Sequence, residues 1–231
     1  MASPVLSLSA ILEGLPLMTQ GLAYTLALAL SSFSAALVLG SLLGIAREEI
    51  RGKIGWLAGF YVELIRGIPL LLFLIFVHYG LLPPLLGQGN FIISSLVAFS
   101  LFEAAYVAEV VRGGLRSVTT GEREAARSLG LSRWQQFRHV ILPLALLRSS
   151  PAMLGQFVAL LKDTSLAAMI GLVEFTRAGE ITYERNYHDF EILLFQTLVY
   201  FTICYGLSCF AQRFEPPEKR AQTVLSQAIA D

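Results

Sequence analysis

The sequence predicts an all-α integral membrane protein with five transmembrane helices. Three observations carry that reading. Hydrophobic residues make up 55% of the 231-residue chain and charged residues only 15%, against about 25% charged in soluble domains. The charges are also unevenly placed, because residues 14–46, 67–102 and 192–212 hold no Asp, Glu, Lys or Arg. A soluble fold gives each helix a polar face, and uncharged stretches of 33, 36 and 21 residues leave none. Seventeen basic residues balance 17 acidic ones, so there is no basic field to hold nucleic acid.

About 20 helical residues cross some 30 Å of hydrocarbon. Five segments meet that length: Gly21–Ala46, Leu57–Gly80, Phe91–Val111, Ser149–Val173 and Ile192–Gln212. The 36-residue uncharged run is expected to be two helices, since Pro83-Pro84 and Gly87-Gln88-Gly89-Asn90 break it. Lys162 and Asp163 interrupt the fourth segment. Residues 1–20 carry apolar side chains around Glu13 and are expected to lie in the membrane interface. No charged region precedes the first apolar stretch, so its helix is expected to serve as the insertion signal. Gly40 and Gly44, four apart, predict a close helix contact.

Orientation follows from the basic residues of the connecting loops. With the N-terminus outside, the inner side receives Arg47, Arg51, Lys53, Arg112, Arg116, Arg123, Arg127, Arg133, Arg138, Arg213, Lys219 and Arg220. The outer side receives only Arg177 and Arg185. The C-terminal tail, residues 214–231, is then cytoplasmic. Cys204 and Cys209 are five apart in an apolar run, a spacing that suits neither a metal nor a redox pair.

The longest inner loop, about residues 113–143, is patterned for rigidity. Thr119 with Glu122 fits a capping box, and Ser132 with Gln135 fits a second. Gly130 sits where a left-handed helix C-cap is wanted. A short helix, a tight turn and a second helix ending towards Leu142-Pro143 are therefore expected. Ala125 and Ala126 would let a partner's backbone approach closely, with Arg123, Arg127 and Glu124 framing the contact.

Glu124-Ala125-Ala126, three residues, Gly130, nine residues, then Val140-Ile141-Leu142-Pro143 resembles the Glu-Ala-Ala loop of ABC importer permeases. Val140 stands where Ile is usual. Tyr61 to Leu70, Ala105 to Gly114 and Leu161-Lys162-Asp163-Thr164-Ser165-Leu166 resemble the polar amino acid uptake branch, which takes His, Glu, Gln, Arg or opines. In that branch the loop commonly reads Gly-Gln-x-Glu-Ala-Ala, whereas here Glu122 replaces the Gln. The resemblance implies a type I importer transmembrane domain over about residues 21–213. It also implies two ATP-binding ATPase subunits, a second permease subunit (identical or homologous) and an external amino-acid-binding protein. Glu124, Ala125, Ala126, Gly130, Leu142 and Pro143 would couple the chain to the ATPase. The chain has no Gly-rich phosphate loop of its own, so ATP would be used by the partner and no cofactor is expected on this chain. The competing readings are an ATP-independent secondary transporter and a membrane scaffold.

Ionisable groups at membrane depth cost about 2.5–3.5 kcal/mol on insertion scales. A zwitterionic amino acid needs an acceptor for its ammonium and donors for its carboxylate. Asp163 can supply the first, and the Thr164 and Ser165 hydroxyls or backbone N–H groups the second. Lys162 beside them suits an acidic side chain; alternatively it pairs with Asp163 or snorkels to the interface. Glu103, in the third span, either faces the path or makes an interhelical hydrogen bond. Glu109 and Arg112 are expected to pair along one helix, as are Glu63 and Arg66. His78 has no evident proton-relay partner and is expected to pack or line the pore.

Overall fold

The computed structural model describes residues 8–50, 52–86 and 90–213. The C-terminal tail, Arg51 and the Gly87–Gly89 breaker lie outside the described residues. The described chain is helical throughout.

Helix α1 (Leu8–Glu49) is 42 residues long, which at 1.5 Å per residue is about 63 Å, twice the hydrocarbon thickness. Residues 8–20, expected as a separate segment, are its first turns, and the helix passes Pro16 without ending. The reason is tertiary. Ala10, Gly14, Met18, Gly21, Thr25, Leu28, Ser32, Ala36, Gly40 and Gly44 form one buried stripe of mostly small residues, recurring every three or four positions. Its first part lies against α9 (Phe175–Asn186) and its last against α5 (Phe91–Ser117). Gly40 faces Ala104 and Gly44 faces Ala108, so α1 and α5 run in the same direction, as a first and third crossing must.

The second crossing is not the straight helix expected over Leu57–Gly80. Helix α2 (Lys53–Arg66) ends on Gly67, and Pro69 is extended, with φ −61° and ψ 131°, before α3 (Leu70–Ile75). Proline disfavours a helical residue before it and brings no N–H of its own. The two parts meet at 105°. A π-helical turn, Phe76–Leu81, and α4 (Pro83–Leu86) complete this arm.

Helix α5 is the most deeply buried of the candidate spans and starts on Asn90, whose side-chain oxygen accepts the Ile92 and Ile93 N–H groups. Its faces pack Phe99, Phe102 and Ala105 against Leu28, Val62, Phe73, Leu74 and Leu160. After α6 (Thr120–Ser128) and α7 (Arg133–Gln136), the helix expected to end near Pro143 continues instead. A π-helical turn, Phe137–Ile141, leads into α8 (Leu142–Asp163), with Pro143 in its first turn, where a missing N–H is tolerated. At Thr164 the winding tightens to a 3₁₀ helix, Thr164–Ile170, closed by left-handed Gly171. Helix α10 (Asp189–Gln212) is the least buried span. Its Leu198, Phe201, Tyr205 and Phe210 are exposed on the isolated chain, as suits a face turned to lipid or a second subunit. Among the described residues four helices are long and apolar enough to cross a membrane, and the bent α2–α3 arm makes a fifth when the pair is counted as one broken span.

Candidate functional site

At the far end of α8 the winding change places Asp163, half-buried, beside the buried α5. Gln156 and Asp163 are seven residues apart, two turns on one face. Both lie near Glu103 of α5, close enough for the Gln156 amide and the Asp163 charge to act on its carboxyl group. Glu103 is only 4% exposed, and its Oε1 has no hydrogen-bond partner. Buried polar atoms without partners are rare, and here the orphan atom belongs to a carboxylate facing a second carboxylate. That arrangement is a place for an ammonium or guanidinium.

The structure therefore brings Glu103 and Asp163 together. The other sequence-predicted residues are placed differently. The Thr164 hydroxyl is fully buried and donates to the Leu161 carbonyl at 2.7 Å, so its proton is used within its own helix. Ser165 is half-buried in the first 3₁₀ turn. Lys162 is exposed, about 100° round the helix from Asp163; its charge acts on Asp163 and also reaches Cys204 of α10, without a salt bridge to Asp163 among the described residues. Gln156 was missed; the only signal was one polar side chain two turns before Asp163 in an apolar run. His78 is buried, hydrogen-bonded through Nδ1 to the Ser94 hydroxyl at 2.9 Å and stacked on Phe91, which is a packing role.

Charged side chains also tie the helices together at the α6 end of the chain. Glu109 pairs with Arg112 at 2.6 Å, as expected, and also with Arg47 of α1 and Arg66 of α2. Glu63 pairs with Arg47 at 2.6 Å, not with Arg66, and Arg66 lies over the Tyr106 ring. The expected Glu63–Arg66 pair is replaced because α1 delivers a guanidinium between α2 and α5, a contact that helix spacing alone does not reveal.

Both capping boxes are formed in the α6–α7 loop. Thr119 accepts the Glu122 N–H while Glu122 accepts the Thr119 N–H, and Ser132 with Gln135 repeats the exchange. Gly130 has φ +74°, the left-handed cap that its position predicts. Glu124, Ala125 and Arg127 are exposed, but Ala126 is 2% exposed and packs inward. Arg123 also turns back, donating to the Leu115 carbonyl at 3.0 Å and lying 3.7 Å from Glu49. Of the expected contact face, Glu124, Ala125 and Arg127 point outward, and Leu129 and Trp134 join them, 78% and 66% exposed. Leu142 and Pro143 begin α8. Arg148 grips Glu122 at 2.6 Å, so the Glu122 carboxyl is held well below its ordinary value, at about 2, first by that guanidinium and then by the Thr119 N–H. Cys204 and Cys209 are free thiols, and among the described residues no group of three or more His, Cys, Asp or Glu side chains could hold a metal.

Comparison with known proteins points to one family. The chain is 34% identical over 207 residues to the glutamate/aspartate import permease protein GltK of Escherichia coli O6:H1, covering 87% of this chain and 92% of that one. It is 36% identical over 214 residues to the glutamine transport system permease protein GlnP of Escherichia coli K12, covering 90% and 95%. The crystal structure of an amino acid ABC transporter with histidines superposes with a TM-score of 0.84 at 29% identity, covering 91% of this chain and 98% of that one. Residues 36–219, most of the spans and the whole α6–α7 loop among them, match one family across their length, and the chain belongs to it: the inner membrane components of binding-protein-dependent transport systems.

Proposed function

We propose that this chain is the permease subunit of an ATP-driven importer that moves a polar amino acid into the cytoplasm by alternating access. The observation that carries the amino acid reading is the unpartnered Glu103 oxygen facing Asp163 at mid-span. Those two carboxylates receive the substrate ammonium, with Gln156 orienting Glu103. The Ser165 hydroxyl and the N–H groups near the start of the 3₁₀ helix are available to the substrate carboxylate, and Thr164 supports the turn. Lys162 serves at the edge of the path rather than in the pocket. The relatives act on different amino acids by their names, glutamate or aspartate in one and glutamine in another. Two acidic groups with no salt bridge among the described residues, and Lys162 set at the edge, favour a substrate whose side chain is neutral or cationic.

The α6 end faces the cytoplasm, in keeping with the 12 basic residues that the sequence assigns to the inner loops and tail against two in the outer loop. Glu124, Ala125 and Gly130 dock a separate ATP-hydrolysing subunit, with Leu129 and Trp134 as its apolar anchors. Ala126, Leu142 and Pro143 hold that helix against the membrane spans. A second permease copy or homologue covers the exposed faces, and an external binding protein delivers the substrate. The test is to copurify the complex, identify its subunits and measure ATP hydrolysis with a panel of amino acids. Stimulation by one of them, lost in Asp163→Ala, supports the reading; uptake that follows an ion gradient and ignores ATP depletion overturns it.

A further inference from the structure

The Glu122 carboxylate has two separable roles. Its Oε2 accepts the Thr119 N–H at 2.8 Å and the Thr119 hydroxyl at 3.0 Å, closing the cap of α6. The same carboxylate receives Arg148 of α8 through two arms, Nη2 to Oε1 at 2.6 Å and Nη1 to Oε2 at 3.0 Å. Nη1 also donates to the carbonyl of Ser117, the last residue of α5, at 2.8 Å. Three helices thus meet on one carboxylate–guanidinium pair, the two-armed geometry that adds direction as well as strength.

The cap does not need the charge. Gln135 performs the same exchange in the second box with a neutral amide, and Gln is the common residue at the position of Glu122 in the branch this chain resembles. What the carboxylate adds is Arg148. From Arg148, α8 continues past Pro151 for 15 residues to Asp163, about 22 Å. The other end of α6 is held differently, by a left-handed glycine with open space around it.

The geometry points to Glu122–Arg148 as a positioning strut: it makes displacement of α6 a displacement of α8, and so of Asp163 at the far end of that helix. Without it, α6 keeps its ties to α5 and α1 through Arg123 on the Leu115 carbonyl and near Glu49, but it loses its side-chain link to α8, and a push on the loop no longer reaches α8 by that route. This rests on the reading of α6 as the helix driven by an ATPase.

The experiment uses the complete transporter, with its ATPase and binding-protein subunits, in proteoliposomes. Amino acid taken up per ATP hydrolysed is measured for the unaltered protein, Glu122→Gln, Arg148→Gln, Arg148→Lys and the double variant Glu122→Gln/Arg148→Gln. Glu122→Gln keeps the cap and loses the pair. Uptake per ATP is expected to fall about fivefold or more in each Gln variant, the double variant is expected to be no worse than either, and Arg148→Lys is expected to recover part of the loss. Uptake per ATP within twofold of the unaltered protein in Glu122→Gln overturns the strut. So does a double variant whose loss is the product of the two single losses, or a Glu122→Gln chain that no longer copurifies with the ATPase, since the carboxylate then serves only the fold of the loop. Uptake by the unaltered protein that ignores ATP is a different result and overturns the importer reading instead.

Discussion

Gly40 of α1 and Ala104 of α5 stand so close that a Cβ built on the glycine would lie 2.6 Å from the Ala104 carbonyl oxygen. The obstacle is backbone, so it cannot swing aside. Gly40→Ala should therefore destabilise the protein by about 1–3 kcal/mol, the usual cost of forcing extra carbon into a packed contact. Gly113 has nothing within 4 Å of its would-be Cβ, and Gly113→Ala should be neutral or stabilise by up to about 1 kcal/mol. Thermal unfolding of the two variants in detergent checks the opposite signs.

Asp163 and Glu103 differ in what their loss should do. Asp163→Ala is expected to insert normally and abolish uptake. Glu103→Gln keeps the shape of the side chain but removes the carboxyl group that can ionise against a substrate ammonium. A hydrogen bond to a charged group contributes about 1.5–3 kcal/mol, so the substrate KM should rise on the order of tenfold to a hundredfold. Uptake kinetics in vesicles, with membrane content measured alongside, distinguish the two.

Gly130 adopts φ +74°, where a residue with a Cβ costs roughly 1–2 kcal/mol. Gly130→Asp and Glu124→Lys should both leave the protein in the membrane and abolish uptake, the first by shifting the turn and the second by reversing the charge on the exposed face. Equal uptake by both variants and the unaltered protein would count against a coupling role for this loop.

Acid should loosen the α6 cap in a defined window. The Glu122 carboxyl is depressed from 4.5 to about 2 in the folded chain. A depressed carboxylate contributes stability above its unfolded value and loses it as pH falls through the folded value. The loop should thus be unchanged from pH 8 to about pH 5 and loosen between about pH 4.5 and 2. Trp134 fluorescence in a Trp56→Phe background reports the transition, and Glu122→Gln should remove it.

The elements most legible in the sequence were those settled by a residue and its nearest few neighbours. Uncharged run length marks the crossings, and Thr119 with Glu122, Ser132 with Gln135, and Gly130 each specify a cap within three or four residues. The Glu109–Arg112 pair is of the same kind. Less legible was anything that depends on how one helix is turned against another. Ala125 and Ala126 look alike in sequence, yet one faces outward and the other is buried, because the rotation of α6 is set by Arg123 and Glu122 gripping neighbouring helices.

The sequence by itself determined that this is a membrane protein of five crossings with a capped, charged loop, since hydropathy and capping are local properties of the chain. Only the tertiary structure decided that α1 is one helix from Leu8, that the second crossing bends at Pro69, and that Arg47 rather than Arg66 takes Glu63. It also decided that Gln156 and Asp163 lie near Glu103 while Lys162 is exposed. The physical reason is register: cross-helix partners depend on the rotation and offset of packed helices, and those are fixed by small-residue contacts such as Gly40 on Ala104, which join residues far apart in the chain.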